Sequence, residues 1–412
     1  MSKRILLIGY NYFPEPTGIG KYSGEMIQWL ANKGYACEVI TAYPYYPFWK
    51  VQEPYYAKRY RYHKESYNFP SGGSITVHRC PMYIPEKPSG LKRMLLDLSF
   101  SMSAFVKVVQ LSFKQRFAYT IAIAPSFQFG LLGIFYKKTK GTKLLYHVHD
   151  MQIEVAHDLK MIKSKFVIDT LFKIEKYIFN QSDIVSSISE QMVSRIKAKA
   201  NKDVVLFPNW VDDKMFFPLK HKDVLKQQFG FAPTDKVILY SGGIGEKQGL
   251  EAIIYAAQEF EQQPEVKFLI CGSGPYKERL MALVSELGLT NISFFPLQPI
   301  EKFNAFLNMA DLHLVIQKAN ASDLMMPSKL TTILAVGGLA LITANEGSGL
   351  HMLVKNYRLG ILAEAENQQA LNKAIRYALE KPTDDLRQNA QCYAENHLAI
   401  DKIMTEFVKE LN

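Results

Sequence analysis

Short apolar runs alternate with longer amphipathic stretches along the first part of the chain, and glycine-bearing turns separate them. Residues 4–10 (RILLIGY) form an apolar run, a loop follows (PEPTGIGKY), and residues 24–34 (GEMIQWLANKG) carry apolar side chains at helical spacing before a glycine stop. The next apolar run is CEVIT at residues 37–41. This order predicts a strand, a loop, a helix and a second strand, which is how a doubly wound parallel sheet begins.

Later runs in this half predict further strands with helical stretches between them: SITVHRC, YTIAIA, KLLYHVH and DIVSSIS. The longest uncharged run covers residues 117–136. Pro125, Ser126 and Gln128 interrupt that run. We therefore expect a buried strand followed by a buried helix there rather than a membrane span.

The alternation restarts in the second half, where DKVILYSGGIGEKQGLEAIIYAAQEF predicts a strand, a glycine turn and a helix. VKFLICGSGP predicts a strand with another glycine turn, and strand and helix patterns continue through residues 326–343. The fold class is therefore α/β, with two Rossmann-like doubly wound parallel-sheet domains. We expect them to face each other across a cleft, because ligands of such sheets bind beyond the carboxyl ends of the strands.

The predicted first domain covers residues 1–207, the second covers 208–385, and the chain crosses between them near Phe207–Pro218. Residues 386–412 are predicted to form a C-terminal helix that packs back on the first domain. A length of 412 residues agrees with two or three domains, and 48% hydrophobic with 21% charged residues is usual for globular proteins.

Four cysteines lie far apart without a CxxC pair. We expect buried, reduced thiols in a cytosolic protein rather than a disulfide framework or a zinc site. The apolar run near the first residue is short, so no signal peptide is expected.

Positive charge is concentrated in the first half of the chain. Residues 1–205 hold 29 Lys and Arg against 15 Asp and Glu, whereas residues 206–412 hold 20 against 24. The basic half includes an aromatic and basic segment at residues 43–64, YPYYPFWKVQEPYYAKRYRYHK. Such a surface suits anionic lipid headgroups, a phosphorylated substrate or nucleic acid, and a solvated basic face with an aromatic loop packed on it is the plainer alternative. No nucleic-acid-binding motif is present, so nucleic acid is the least favoured partner.

Glycine turns at strand ends are candidate anion sites. In YSGGIGEKQG (residues 240–249) three glycines in four positions, Gly242, Gly243 and Gly245, would let a phosphate approach backbone N–H groups, and Lys247 offers a cation. The spacing matches neither GxGxxG nor GxxxxGK[ST]. A tight strand–helix turn with a solvent-facing lysine is an equally good interpretation.

Two further glycine pairs have the same two interpretations. Gly272 and Gly274 follow a predicted strand in CGSGP, where either a ligand or a tight turn would require glycine. Gly18 and Gly20 open the first predicted helix, and Lys21 adds positive charge to a helix start that favours anions.

The stretch MPSKLTTILAVGG places a cation just inside a helix start. Ser328 is a good N-cap, and Lys329 follows it. A helix N-terminus already carries about half a positive charge, so Lys329 costs stability there unless an anion lies close. Asp323 would serve as a structural counter-ion, and a ligand phosphate is the alternative.

A histidine pair ends one predicted strand of the first half, in YHVHD. We expect one of His147 and His149 to face the ligand edge and the other to point away, with Asp150 following. A hydrogen bond to substrate and a purely structural histidine are both plausible for His149. No third ligand stands at metal spacing, so no metal site is predicted.

Taken in order, these motifs resemble the GT-B glycosyltransferases of the GT4 family over nearly the whole chain. They are TGIGKY, HVHD, PNWVD (with Trp210 in place of the usual glycine), SGGIGEKQG, GSGP and PSKLTTILAVGG. The combination of GEKQGLE with PSKL is similar to the bacterial exopolysaccharide branch, the colanic-acid-type transferases.

The resemblance implies a nucleotide-diphosphate sugar, UDP- or GDP-linked, bound mainly by the second domain. It also implies retention of anomeric configuration without a metal or other cofactor. The candidate site residues are Lys247 and His149 for catalysis; Gly243, Gly272, Gly274, Gln298, Asp323, Ser328, Lys329 and Thr332 for the donor; and Gly18, Gly20, Lys21 and Asp150 facing the sugar and acceptor.

Two departures from the family pattern concern the donor. The diphosphate-binding arginine of the family falls on Gly243, which leaves Lys247 as the main cation of that loop. The second glutamate of the EX7E motif falls on Thr332, and the first at or beside Leu324. Threonine cannot make a bidentate carboxylate contact, so ribose recognition must differ or donor binding must be weaker.

We therefore expect a hexosyltransferase that extends a lipid-linked or oligosaccharide acceptor in bacterial exopolysaccharide synthesis. Its basic first domain would hold it as a peripheral protein on the inner face of the cytoplasmic membrane. Two alternatives stay open: another GT-B enzyme such as a sugar-nucleotide epimerase, and a non-catalytic homologue that acts as a scaffold.

Overall fold

The computed structural model describes residues 4–114, 116–154, 164–319 and 327–411, and for Lys247 it describes the backbone alone. The chain forms two compact units. Met1–Pro208 and Glu406–Asn412 make up the first unit, and Asn209–Thr405 makes up the second.

An eight-stranded sheet is the centre of the first unit. Its strands are β1 (Arg4–Ile8), β2 (Ala36–Ala42), β3 (His63–Asn68), β4 (Ser74–Cys80), β5 (Tyr119–Ala124), β6 (Lys143–Val148), β7 (Ile184–Ser187) and β8 (Val205–Leu206). They follow the order β3-β4-β2-β1-β5-β6-β7-β8, with β3 antiparallel to β4 and the other pairs parallel. Strand β5 is buried at every position, because helices cover both faces of a parallel sheet.

Helices flank this sheet, and each buries one side. They are α1 (Gly18–Asn32), α2 (Gly90–Ser112), α3 (Gln128–Lys140), α4 (Lys165–Gln181) and α5 (Glu190–Ala200), with a short 3₁₀ turn at Tyr56–Lys58. Residues 117–136 form β5 and most of α3, so the predicted strand and helix are confirmed.

The second unit contains a six-stranded parallel sheet. Its strands are β9 (Lys236–Ser241), β10 (Val266–Cys271), β11 (Ile292–Phe295), β12 (Leu312–Val315), β13 (Ala340–Thr343) and β14 (Gly360–Ala363), in the order β11-β10-β9-β12-β13-β14. Its helices are α6 (Lys222–Gln228), α7 (Glu251–Glu259), α8 (Lys277–Glu286), α9 (Ile300–Asn308), α10 (Ser328–Ala335), α11 (Gly349–Tyr357), α12 (Gln368–Glu380), α13 (Asp384–Tyr393) and α14 (Ile400–Glu410).

In each sheet the order of the strands reverses at the first strand in the chain. Strand β1 lies between β2 and β5, and β9 lies between β10 and β12. In such sheets the crevice outside the carboxyl ends of the strands at this point is the usual ligand site. The loops that follow β1 and β9 are therefore the expected ligand-binding loops.

The C-terminal segment is less regular than the single helix expected over residues 386–412. Helix α13 ends at Tyr393, a π-helical turn covers Ala394–Leu398, and α14 begins at Ile400. Residues from Glu406 onward belong to the first unit, where Phe407 stacks on Phe207 with ring centroids 3.9 Å apart.

All four cysteines are free, but the expectation of burial is wrong for one of them. Cys37, Cys80 and Cys271 are buried, whereas Cys392 is exposed because it lies on the outer side of α13.

Candidate functional site

The loop after β9 continues the pairing of β9 with β10 beyond the strands. The Gly242 N–H donates a hydrogen bond of 2.9 Å to the carbonyl of Cys271, the last residue of β10, and the Ile244 N–H donates one of 2.9 Å to the Ser273 carbonyl in the loop after β10. A Cβ atom on Gly272 would overlap the carbonyl oxygen of Gly242, and one on Gly274 would overlap that of Ile244. Contact between the two loops therefore requires both glycines, which favours the tight-turn interpretation of CGSGP.

Gly243 is the open point of the loop after β9. A Cβ atom built on it would have no neighbour within 4 Å among the described residues. The Tyr240 hydroxyl donates a hydrogen bond of 2.7 Å to the Gly243 carbonyl and so holds the loop from the strand side. A ligand at Gly243 would meet the backbone of a loop whose position is already set.

The Lys329 ammonium group is buried beside this loop. Its Nζ atom lies 3.7 Å from the centroid of the Tyr240 ring and would be 3.0 Å from a Cβ atom on Gly242. Within the described part of the chain it has no hydrogen-bond partner. Burial lowers the pKa of Lys329 to about 7, because removal from water disfavours the charged form.

Helix α10 starts without a side-chain cap, so the N-cap expected of Ser328 is wrong. Pro327 occupies the cap position, and its carbonyl already accepts a hydrogen bond of 2.9 Å from the Leu330 N–H, which makes Ser328 the first helical residue. The first turn contains no acidic residue. The unpaired N–H groups of this turn and the Lys329 ammonium together form a positive region.

Two other residues predicted to bind the nucleotide sugar form hydrogen bonds within their own segments. The Thr332 hydroxyl is largely buried and donates a hydrogen bond of 2.9 Å to the Lys329 carbonyl. The Gln298 amide donates one of 3.0 Å to the Pro296 carbonyl. The Thr332 hydroxyl would have to give up this bond before donating to a ligand, whereas the Gln298 amide has a second N–H to donate.

Two candidate residues lie partly or wholly outside the described residues. Lys247 belongs to a 3₁₀ turn at Glu246–Gln248, but its side chain is outside the description. Asp323 and the neighbouring Leu324 are also outside it. Their roles in donor binding stay predictions.

In the first unit, the loop after β1 is built on a buried carboxylate that the sequence analysis missed. Glu15 accepts hydrogen bonds from the backbone N–H groups of Tyr45 (3.1 Å) and Tyr46 (3.0 Å) and from the Asn11 amide (2.8 Å). Burial raises the pKa of Glu15 to about 7. A Cβ atom on Gly20 would overlap this carboxylate, so α1 can start here only with glycine at that position.

Helix α1 begins at Gly18, as predicted. Gly18 has φ +62°, a left-handed conformation that favours glycine, and a Cβ atom there would lie 3.6 Å from the Tyr46 ring. The Lys21 ammonium is 3.6 Å from the Glu25 carboxylate and 5.0 Å from the Tyr22 ring centroid. Its charge is therefore partly balanced within α1.

His147, in β6, and His149, just after it, touch each other, so the expectation that they point in opposite directions is wrong. Their ring centroids are 4.4 Å apart, because residues two positions apart project from the same side of a strand. The His147 ring pairs with the Ser186 hydroxyl at 2.9 Å, and the His149 ring stacks near Tyr22 at 6.2 Å. Burial lowers the pKa of His149 to about 4, so the ring is neutral at pH 7 and available only for hydrogen bonding.

Asp150 lies at the same edge of the sheet as the loops after β1 and β2. The pKa of Tyr46 is raised by burial first, and then by the charges of Asp150 and Glu15. The structure thus brings Gly18, Gly20 and Asp150 to one edge. Among the described residues, no group of three or more His, Cys, Asp and Glu side chains could hold a metal ion.

Two protein families match the chain. Residues 17–210 match the family described as "Glycosyl transferase 4-like domain", and residues 221–397 match "Glycosyl transferases group 1". Together the two matches cover both units.

The chain is 38% identical to the "Putative colanic acid biosynthesis glycosyl transferase WcaI" of Escherichia coli K12, over 99% of each chain. Its fold is similar to sucrose-phosphate synthase from Thermosynechococcus elongatus, with a TM-score of 0.76, 17% identity and coverage of 99% of this chain and 98% of that one. It is also similar to Anabaena HepE in complex with UDP-glucose, with a TM-score of 0.68, 16% identity and coverage of 99% of both chains. The sheet orders and these neighbours confirm the predicted fold class.

Proposed function

Since this chain belongs to the GT4 family of GT-B glycosyltransferases, we propose that it transfers a hexosyl unit from a UDP- or GDP-linked sugar. The proposed acceptor is a lipid-linked or oligosaccharide chain of a bacterial cell-surface polysaccharide. The similarity to a transferase named for colanic acid synthesis supports this pathway class, and the similarity to HepE, which holds UDP-glucose, supports a nucleotide sugar donor.

The observation that carries the proposal is the buried ammonium of Lys329. A buried cation without an anionic partner is costly, and proteins rarely keep one without use. Among the described residues nothing supplies that partner, while the glycine loop at Gly243 and the uncapped start of α10 lie around it. A donor diphosphate would provide the missing negative charge.

The reaction would depend on stabilisation of the leaving group. As the bond to the sugar breaks, the nucleoside diphosphate gains negative charge and the sugar becomes oxocarbenium-like. A positioned group aimed at such developing charge contributes about 3–4 kcal/mol. The groups proposed to stabilise this charge are the Lys329 ammonium, the N–H groups at the start of α10 and Lys247. Because they supply the positive charge, the proposal requires no metal.

On the acceptor side, the proposed role of His149 is that of an uncharged imidazole. With a pKa of about 4 its imidazole is uncharged at pH 7. It would therefore orient a sugar hydroxyl by hydrogen bonding rather than deliver a proton. The transfer is proposed to retain anomeric configuration, as the family resemblance implies.

The test is donor binding by thermal shift with a panel of UDP- and GDP-sugars. A donor at 100 times its Kd stabilises the folded protein by about 2.7 kcal/mol. Lys329→Met should lose this shift, whereas Lys373→Met, an exposed lysine on α12 of the same unit, should keep it. An equal thermal shift in both variants would show that the diphosphate does not bind at Lys329.

Lys247 gives a second test of the same proposal, carried over from the sequence. Lys247→Ala is expected to reduce sugar transfer at least about tenfold with an unchanged melting temperature, because a leaving-group cation is lost. Turnover close to wild type would remove Lys247 from the mechanism.

One observation favours a second candidate, a non-catalytic homologue that binds without transfer. The Thr332 hydroxyl, at the position of the family's ribose-binding glutamate, is bonded to the Lys329 carbonyl. Donor binding without any turnover on a range of lipid-linked acceptors would favour this candidate.

A further inference from the structure

Helix α2 is apolar on two opposite sides. Its inner side repeats every three or four residues and belongs to the core of the first unit: Leu96, Phe100, Ala104, Val108 and Leu111. A helix on the surface of a soluble protein normally carries polar residues on the other side. On α2 that side is apolar as well.

We call the exposed side the outer stripe; it consists of Leu91, Met94, Leu98, Met102 and Phe105, together with Phe113 just beyond the helix end. Met102 is 65% exposed and Phe113 85%. These residues follow helical spacing, so they form one continuous strip rather than scattered exposures. A contiguous apolar strip of this kind marks an interaction surface.

Helix α2 can lie on a bilayer but cannot cross one in this fold. With 23 residues it is, in the described part of the chain, the helix long and apolar enough to span a membrane by length and composition. Its inner side, however, is packed in the core of the first unit, where Phe100 and Ala104 are fully buried. Crossing would expose that core, so only the outer stripe is available to lipid.

The aromatic and basic segment at residues 43–64 packs against the same helix. The Tyr62 hydroxyl donates a hydrogen bond of 3.1 Å to the Ser103 carbonyl on α2, and the Lys107 ammonium is 5.2 Å from the Tyr62 ring centroid. The Arg93 guanidinium lies 5.2 Å from the centroid of Trp49. The segment therefore packs against α2, the helix that carries the outer stripe.

The two segments that contribute to this face of the protein are rich in positive charge. Residues 43–64 and 86–116 together contain eleven Lys and Arg but only three Asp and Glu. One of the three, Asp97, is withdrawn from the surface: burial raises its pKa to about 7. Anionic headgroups meet lysine and arginine at the water interface, while apolar and aromatic side chains enter the acyl boundary.

We propose that the outer stripe of α2 and residues 43–64 dock this protein in the plane of an anionic lipid bilayer. A protein partner fits less well, because protein interfaces are depleted in lysine, whereas Lys92 and Lys107 lie on α2 and Lys114 follows its end. The inference deepens the proposed function: it rests on it for the lipid-linked acceptor, which would lie in the same membrane.

The experiment is flotation of the full chain with vesicles of phosphatidylcholine alone or mixed with phosphatidylglycerol. The wild type should float with the mixed vesicles and dissociate as salt rises, because counterions screen the lysines and arginines of these segments. The double variant Leu98→Glu with Met102→Glu should lower the partition coefficient at least about tenfold. Met281→Glu, a 48% exposed methionine on α8 of the second unit, is the matched control and should bind as the wild type does.

A second variant guards against misfolding of α2. Phe113 lies beyond the end of the helix, so Phe113→Glu leaves the helix sequence intact and should also weaken vesicle binding. Absence of wild-type flotation, or equal flotation of all variants, would overturn the proposal. So would a glutamate variant that turns a dimer into a monomer by light scattering, since a second copy would then be the partner.

Donor binding separates this inference from the proposed function. The stripe variants should keep the thermal shift with the UDP- or GDP-sugar that stabilises the wild type, because the stripe lies in the other unit. If the wild type binds vesicles but no nucleotide sugar raises its melting temperature, the transferase proposal is contradicted and the docking surface still stands.

Discussion

At the scale of single residues, Lys329 combines a charge with an environment that opposes it. The ammonium lies over the Tyr240 ring, which favours the cation, but burial outweighs this contact and lowers the pKa of Lys329 to about 7. Near neutral pH the group is therefore divided between charged and neutral forms. A bound diphosphate would favour the charged form and raise the pKa again.

This balance predicts proton uptake on donor binding. At pH 8 the free protein holds Lys329 mostly neutral, so binding of a UDP- or GDP-sugar should take up close to one proton, and affinity should fall as pH rises above 7. Titration calorimetry in buffers of different ionisation enthalpy measures the uptake. Lys329→Arg keeps a cation that does not titrate near pH 8, so it should bind the donor without this uptake. Persistence of the uptake in that variant would show that another group titrates.

Glu15 predicts that stability itself depends on pH. Its pKa is raised from 4.5 to about 7, so the folded state binds more protons between those values and stability falls as pH rises through them. The shift corresponds to about 3 kcal/mol. Glu15→Gln should lose this slope, so relative to the wild type it should melt higher at pH 8 than at pH 5.

The exposed Glu53 provides the control for this comparison. Glu53→Gln should leave the difference in melting temperature between pH 5 and pH 8 as it is in the wild type. If Glu15→Gln behaves in the same way, Glu15 is not the titrating group.

At the scale of elements, the two glycine loops of the second unit act as an extension of the β9–β10 pair. Gly272→Ala forces its Cβ against the Gly242 carbonyl, so the backbone must move. We expect a loss of about 1–3 kcal/mol of unfolding free energy and a weaker donor shift. Gly243→Ala, where a Cβ has open space, is the matched control and should change stability by less than about 1 kcal/mol.

Thermal unfolding of the two alanine variants measures this difference directly. Equal melting temperatures would mean that the loops yield without cost and that Gly272 serves the ligand instead.

Strands with a clear apolar pattern could be predicted from the sequence, and strands without one could not. The all-apolar YTIAIA is β5, and SITVHRC is β4. Strand β3 (HKESYN) was missed because it lies at the sheet edge, where polar residues face water and no apolar period remains. Site geometry was less accessible, since Lys329 meets Tyr240 from an element far along the chain, and no local pattern reports such a contact.

At the scale of the whole molecule, the end of the chain completes the first unit. Helix α14 begins among residues of the second unit, yet Phe407 is buried against Phe207 in the first. The chain therefore returns to the unit in which it started. Cutting the protein after residue 208 would leave Phe207 without its stacking partner.

Phe407→Ala should consequently destabilise the first unit by about 3–5 kcal/mol, because a buried ring is lost. Hydrogen exchange should accelerate around β8 (Val205–Leu206), next to Phe207. Phe166→Ala, which removes a 79% exposed ring from α4, is the control and should leave exchange at β8 unchanged. Unchanged exchange in Phe407→Ala would contradict the role given to the chain end.

The open space at Gly243 has an evolutionary consequence. By the family resemblance an arginine stands there, whereas this chain has a bare backbone and the Lys329 ammonium beside neighbouring Gly242. If the two cations are interchangeable, homologous sequences should tend to carry one or the other. The same exchange can be made in one molecule: Gly243→Arg should restore donor affinity to Lys329→Met, and a doubly substituted protein that still fails to bind would show that the cation cannot be moved.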